Sequence, residues 1–352
     1  MSDVSVRWPE LLTRLLHGEH LDEPTARAVM GQLMQGEAES SQVAALLIAL
    51  RAKGESGTEI AGFVRGMLEA ATPLELAPEL RARLVDTCGT GGDGAGTFNI
   101  STVAALVVAA AGVPVAKHGN RAASGTCGSA DLLEAWGIDI ELSPGAAVRC
   151  LEELGITFLY ARSFHPAMRF VAPVRVQLGI RTTFNVLGPL SNPAGAPHQV
   201  VGVSDVSLAR PMADALAALG KRAAFVFRGH DGLDELTTTA PSTVFEVRDG
   251  VVTEFELDPL DLGVPRASLD DLRGGSVADN VAIADAVLSG ESGPRSDIVA
   301  LNAAAALVAA GVAPDLAAGL ARAREVLASG AVAELKERWV ARAIPAGSIP
   351  RG

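Results

Sequence analysis

The chain has 352 residues, enough for one large domain and a smaller one with a sizeable core. Hydrophobic residues make up 49% and aromatics only 4%, so that core must be built mainly from Ala, Val and Leu, which favours helices packed closely on a sheet. The formal net charge of −12 disfavours a non-specific binder of nucleic acid or anionic membrane, since either needs clustered Lys and Arg.

Cys88, Cys127 and Cys150 have neither CxxC spacing nor the even count of a disulfide framework and read as small core or loop residues, which suits a reducing cytosol. The opening MSDVSVRWPELL lacks a basic stretch followed by an apolar run, so no signal peptide is expected. The apolar run from Val103 to Val115 is too short to span a bilayer. A soluble, cytoplasmic protein is expected.

Residues 8 to 72 read as a compact helical unit of about four short antiparallel helices. WPELLTRLL and PTARAVMGQLM start it. Val43, Leu46, Leu47 and Leu50 then follow a Ser40 cap at helical spacing and end at Gly54, and Ile60, Phe63, Val64, Met67 and Leu68 repeat the pattern. The stretch Thr72 to Pro78 reads as a linker.

Beyond it the rhythm becomes short apolar strands alternating with helices. Leu84–Val85, Val113–Ala116, Ile156–Tyr160, Val200–Val203 and Ala223–Phe227 are strand candidates, the βαβ pattern of a largely parallel sheet covered on both faces. TVFEVRDGVVTEFEL alternates around Asp249-Gly250 and predicts a hairpin, which makes the sheet mixed. Ile298 to Val340 reads as two or three closing helices. The predicted fold class is α/β, with a small N-terminal helical domain and a larger α/β domain.

Four segments carry the candidate chemistry. In LVDTCGTGGDGAGTFNIST, five of the eight residues from Gly89 to Gly96 are glycine, which lets backbone N–H groups approach an anion. A bare GTGGD serves equally well as a tight turn, and neither the Walker nor the Rossmann spacing is met. Asn99, Ser101 and Thr102 at the head of the following helix tip the balance toward phosphate.

The second segment, KHGNRAASGTCGSADLLEAWG, gathers Lys117, His118, Asn120, Arg121 and Ser124 after a strand, where open α/β sheets place ligands. In the third, His165-Pro166 is expected to begin a helix whose face carries Met168, Val171 and Arg175, the arginine fork matching a carboxylate or simply covering apolar neighbours. Gly188-Pro189-Leu190-Ser191-Asn192-Pro193 then reads as a rigid irregular turn. The fourth, GHDGLDELTTTAPS, sets Asp234 and Glu235 side by side, which suits Mg²⁺ shared with substrate phosphates or, alternatively, a helix N-cap with its first-turn acid.

In this order and spacing, GTGGDGAGTFNIST, KHGNRAASGTCGSADLLEAWG, HPAMRFVAPVRVQLGIRTTFNVLGPLSNP and DGLDELTTTAPS resemble the anthranilate phosphoribosyltransferase family over nearly the whole chain. The resemblance implies transfer of a phosphoribosyl group from 5-phosphoribosyl 1-diphosphate to anthranilate, with Mg²⁺ and release of pyrophosphate. It implies that Gly89, Thr90, Gly91, Gly92, Asp93, Thr97, Asn99, Ile100, Ser101, Thr102, Lys117, His118, Gly119, Asn120, Ser124 and Gly125 surround the sugar diphosphate. Ser124-Gly125 stands where many relatives have two serines.

By the same resemblance, Arg175, Asn120, His118, His165, Met168 and Gly89 would receive anthranilate, and Ser101, Asp234 and Glu235 would hold the metal. It also implies a homodimer joined through a helical domain of residues 1–74 that takes in part of 166–195, beside an α/β domain of residues 80–345. Two competitors are a pyrimidine nucleoside phosphorylase, against which the Arg175 segment and the acidic pair count, and a non-catalytic nucleic-acid-binding relative, which would need a basic cleft.

Overall fold

The computed structural model describes residues 6–122 and 127–343. The N-terminal unit is four helices, Trp8–Leu16, Glu23–Gln35, Ser40–Lys53 and Gly57–Glu69. Their ends follow from local chemistry. Asp22 accepts the Thr25 N–H at 2.9 Å to start the second, and Gly36 at φ 74° ends it. The fourth opens on a capping box, Ser56 accepting the Glu59 N–H at 3.2 Å and Glu59 accepting the Ser56 N–H at 2.9 Å. Glu59 is fully buried; burial pushes its carboxyl up, but bonds from Lys53 at 2.8 Å and the Leu21 N–H at 3.0 Å outweigh that and hold it below the usual range.

The third helix departs from expectation at its start. Glu39, not Ser40, is the cap residue, because Gln42 reaches back to accept the Glu39 N–H at 2.9 Å and draws Ser40 into the first turn.

The sheet has seven strands: β1 (Val85–Gly89), β2 (Val115–Gly119), β3 (Ile156–Tyr160), β4 (His198–Gly202), β5 (Ala223–Gly229), β6 (Ser242–Arg248) and β7 (Val251–Leu257). Their order is β3-β2-β1-β4-β5-β6-β7, with the first five parallel and the last two antiparallel. Asp249 at φ 49° and Gly250 at φ 84° make the left-handed two-residue turn that joins β6 to β7. Strand order reverses between β1 and β4, the point outside whose carboxyl ends open α/β sheets leave a crevice for ligands. Four strands run longer than expected, β4 starting at His198 and β5 continuing to Gly229, while β1 takes in Asp86, Thr87 and Cys88 and β2 takes in Lys117, His118 and Gly119.

Alternation along the strands divides the core. Phe225 and Phe227 face the alanine-rich helices Ile100–Ala110 and Pro294–Ala309, while Ala224 and Val226 face the layer holding helix Val206–Ala218. That second core runs without a break into Val29, Leu46, Phe63 and Val64 of the helical unit. The two units are thus packed through shared apolar surface.

The segment after His165 is not one helix. A 3₁₀ turn, Pro166–Phe170, is followed by a separate helix, Ala172–Leu178, since Pro173 has no N–H to continue the first and suits only a helix's opening turn. The expected turn at residues 188–193 is also shorter, as helix Phe184–Leu190 takes in Gly188, Pro189 and Leu190. The closing helices number three, Pro294–Ala309, Leu316–Ala328 and Ala331–Ala343, and a further helix, Val277–Leu288, precedes them. Among the described residues, no helix is long and apolar enough to cross a membrane.

Candidate active site

The glycine loop leaves β1 at the point where strand order reverses. The Thr90 N–H bonds the Gly202 carbonyl at the end of β4 at 2.9 Å, Ser204 donates its N–H to Thr90 Oγ1 at 3.1 Å and its hydroxyl to the Gly91 carbonyl at 2.9 Å. Arg181 donates to the same Gly91 carbonyl at 2.7 Å. Gly91 and Gly92, at φ 65° and 75°, take the left-handed conformation that glycine allows, which turns the Gly91 N–H to the Asp234 carboxylate. The loop's far end is fastened by the Phe98 N–H to Leu272 O at 3.1 Å, and Thr97 pairs with Arg273.

Behind the loop, Ile100 and Thr102 are buried in the core, and between them the half-buried Ser101 keeps its hydroxyl toward Lys117. Asn99 donates to the Cys127 carbonyl at 3.0 Å, and its Oδ1 is buried with no partner among the described residues. The Ser101 backbone bonds Glu235.

Lys117 is a buried strand residue, not a loop charge. Its ammonium donates to Thr87 O at 2.5 Å and to Ser101 Oγ at 3.3 Å. Burial pulls its pKa down, and the charges of Asp86 and Glu235 counter that pull. Asp86, itself fully buried, accepts the His118 N–H at 3.1 Å and Gln199 Nε2 at 3.3 Å. A cation is therefore fixed under the loop.

Asp234 and Glu235 sit in the loop between β5 and β6, half-buried, with no helix for them to cap. Asp234 Oδ2 accepts the Gly91 N–H at 2.7 Å and stands where a Cβ on Gly89 would come within 2.5 Å. Burial and then Asp93 push its carboxyl up to about 6; burial and then Asp234 push Glu235 well above the carboxylate range. Asp93 Oδ1 accepts the Ala95 N–H at 3.1 Å, while its Oδ2 is buried without a partner among the described residues. Crowded carboxylate oxygens beside an orphaned one are the hard donor set a divalent cation satisfies. The residues fit magnesium.

The remaining candidates divide. His118 Nδ1 lies 3.1 Å from Gly188 O and its Nε2 is buried without a partner among the described residues. His165 lies 5.1 Å away, ring to ring, with Nε2 2.9 Å from Ser191 O. Burial lowers the two histidines to about 3 and about 4, the first also through its neighbour, so both rings are neutral. Arg175 is half-buried over the Phe184 ring at 5.4 Å, with no carboxylate partner among the described residues, and Met168 is half-buried against the core. No bond joins these two to the glycine loop.

Gly119 is pressed against Ser129 and Phe158, and exposed Asn120 follows it at the mouth. Arg121 is spent on Asp131 at 3.1 Å and Glu134 at 2.8 Å. Ser124 and Gly125 lie outside the described residues. Arg181, Ser204 and Asp86 were not singled out from sequence, although a lone arginine after Gly179 and a serine ending the strand before Asp205 could have drawn notice.

Known proteins bear on this arrangement. The helical bundle domain model of a glycosyl transferase family matches residues 9–71, and the a/b domain model of the glycosyl transferase family matches residues 81–333. A relative from Moorella thermoacetica, an anthranilate phosphoribosyltransferase, is 52% identical over 330 residues, 94% of this chain and 96% of its own. The crystal structure of the enzyme of that name from Thermus thermophilus superposes with TM-score 0.88 at 50% identity, covering 94% of this chain and 98% of that one. The Saccharomyces cerevisiae enzyme in complex with PRPP and Mg gives 0.85 at 27% identity, covering 96% and 97%. The chain belongs to this glycosyl transferase family and, within it, to the anthranilate phosphoribosyltransferases.

The raised Asp234 carboxyl has a consequence for stability. With a pKa near 3.8 when unfolded and about 6 when folded, it favours folding fully below pH 4, and that contribution is lost as pH rises through 6. Asp234→Asn is expected to stabilise the metal-free protein by about 1 kcal/mol near pH 7.5, a figure discounted for partial solvent screening, with the gain vanishing toward pH 4. Equal urea midpoints near pH 7.5 would show that the repulsion is absent.

Proposed function

We propose that the crevice between β1 and β4 holds 5-phosphoribosyl 1-diphosphate, and that the Arg175 side of the same cleft presents anthranilate to it. The protein transfers the 5-phosphoribosyl group to the amine of anthranilate, giving N-(5-phosphoribosyl)anthranilate and pyrophosphate, a step of tryptophan biosynthesis. The observation that carries the residue assignment is the Gly91 N–H to Asp234 bond of 2.7 Å, which puts an acidic pair at the lip of a phosphate-type loop. A nucleoside phosphorylase taking inorganic phosphate has less need of such a pair.

In this reading Gly89 to Asp93, Asn99, the Ser101 and Thr102 end of the helix, and Lys117 surround the diphosphate. Thr97, Ile100 and Gly119 shape that pocket through backbone and packing. Charge builds on the departing pyrophosphate through an oxocarbenium-like state, and fixed N–H groups with the buried Lys117 ammonium stabilise it without reorganising. Asp234, Glu235 and Ser101 would hold Mg²⁺, which when bound would supply further charge neutralisation to the diphosphate.

The nucleophile needs little help. A neutral aromatic amine attacks, and its proton becomes acidic once the bond forms, so no strong base is required. Arg175 pairs with the anthranilate carboxylate, while His118, His165, Met168 and Asn120 line its approach. Holding two substrates across one cleft then supplies much of the rate.

Residues 1–74 with part of 166–195 act as one half of the cleft, residues 80–345 as the other. Two copies associate through the helical side, where Leu16, Ile48 and Val176 are 77%, 43% and 80% exposed, and the enzyme works in the cytoplasm. A monomer mass in sedimentation equilibrium would remove the dimer.

Mixing protein, Mg²⁺, the sugar diphosphate and anthranilate is expected to extinguish anthranilate fluorescence. Asp234→Asn with Glu235→Gln should cut that rate by roughly two orders of magnitude or more with the fold intact; an undiminished rate would remove the metal assignment. Arg175→Ala is expected to raise the KM for anthranilate roughly 10–100-fold, the worth of a charge-assisted pair, and that for the sugar diphosphate far less. Equal rises in both would remove the clamp.

A further inference from the structure

The residues around Asp234 and Glu235 raise a question their own chemistry does not answer. Two like charges that repel each other sit in a loop, yet they must hold one position if they are to share a cation with substrate. Part of the loop is tied to itself. Asp231 accepts the Leu233 N–H at 3.0 Å and the Thr237 hydroxyl at 2.6 Å, and the Thr239 hydroxyl also bonds it. Those bonds close the loop but do not register it against the rest of the protein.

One buried side chain from a distant helix does that at the residue beside the pair, in addition to the bonds that Asp234 accepts from the Gly91 N–H and Thr238 O from the Ala267 N–H. Asn302 projects from helix Pro294–Ala309, 66 residues further along the chain, and is 3% exposed. Its Oδ1 accepts the Leu236 N–H at 2.9 Å, and its Nδ2 donates to the Leu236 carbonyl at 2.9 Å and to Ile298 O, one turn back in its own helix, at 2.9 Å. The amide thus satisfies both backbone groups of the residue next to Glu235, as a neighbouring strand would. Its orientation is defined, because only Nδ2 can donate to the two carbonyls. Helix Pro294–Ala309 is buried at every position from Ile298 to Ala309, so the anchor itself is rigid.

We infer that Asn302 is a positioning residue for the metal-binding pair: its two-bond clamp on the Leu236 backbone holds Asp234 and Glu235 against the glycine loop. This rests on the assignment of that pair as metal ligands. Outer partners of this kind fix ligand direction without touching the ion. A polar residue here costs conformational freedom and desolvation that leucine, in a helix otherwise apolar at this depth, would avoid.

The test separates positioning from mere stability. Asn302→Leu keeps the volume and deletes both bonds; Asn302→Asp keeps the acceptor for the Leu236 N–H and loses the donor. Mn²⁺ serves as the probe, its binding followed by electron paramagnetic resonance with the sugar diphosphate present. Circular dichroism checks the fold, and hydrogen exchange is read over residues 233–239.

Asn302→Leu is expected to weaken Mn²⁺ binding roughly 10–100-fold and to speed exchange at Leu236, with KM for anthranilate unchanged. Asn302→Asp should fall between it and the parent protein, and carries the test should the leucine variant fail to fold. A folded variant of either kind with parental Mn²⁺ affinity overturns the inference. If instead Asp234→Asn with Glu235→Gln leaves Mn²⁺ affinity and turnover intact, it is the metal assignment that falls.

Discussion

The structure depends on the absence of side chains at two strand ends. Gly89 closes β1 and Gly202 closes β4, neighbours in the sheet that pair directly, and the loop bearing Asp234 lies across both. A Cβ on Gly202 would run into the Asp234 backbone carbonyl, and one on Gly89 would meet its carboxylate. Any larger residue at either place would lift the acidic pair away from the glycine loop and break the bond from the Gly91 N–H. The glycine loop and the acidic pair meet, as the proposed diphosphate and cation sites require, only because both strands finish in glycine.

That closeness sets the electrostatics. In a chain of net charge −12, the crevice assembles Asp93, Asp234 and Glu235 on one side and Lys117 on the other, with Asp86 beneath. Asp234 and Glu235 are raised by burial and by like charge, Asp93 acting on both, which is the direction that a bound magnesium ion would oppose. Lys117 is held the other way. Burial pulls the Lys117 pKa down, and the neighbouring Asp86 and Glu235 oppose that pull, so the acids that would recruit the cation also act on the amine.

Much of this was legible in the chain because it is local. The helical unit, β3, the Asp249-Gly250 hairpin and the closing helices follow from periodicity and turn chemistry, each read within a dozen residues. The two principal strands were read too short for a physical reason. Asp86, Thr87, Lys117 and His118 are polar, and polar residues at strand ends read as loop, whereas here the sheet buries them to serve the site. Pro173 broke the helix expected from His165, and Gln42 moved a cap by one residue. Arg181, Ser204 and Asn302 were hidden for another reason: each acts on a backbone group far away in sequence, and no local pattern marks such a partner.

The neutral histidines bear on how the two halves divide their work. His118 and His165 lie ring to ring with one nitrogen of each close to a backbone carbonyl, and burial keeps both uncharged near neutral pH. In the proposed function an aromatic amine must itself be neutral to attack, and neutral rings lining its approach would neither protonate it nor compete with Arg175 for its carboxylate. In the proposed reading these rings on the acceptor side do not change charge near neutral pH. On the proposed diphosphate side the titrating group is the Asp234 carboxyl near 6, so in that reading the acids rather than the nucleophile's surroundings carry the pH dependence.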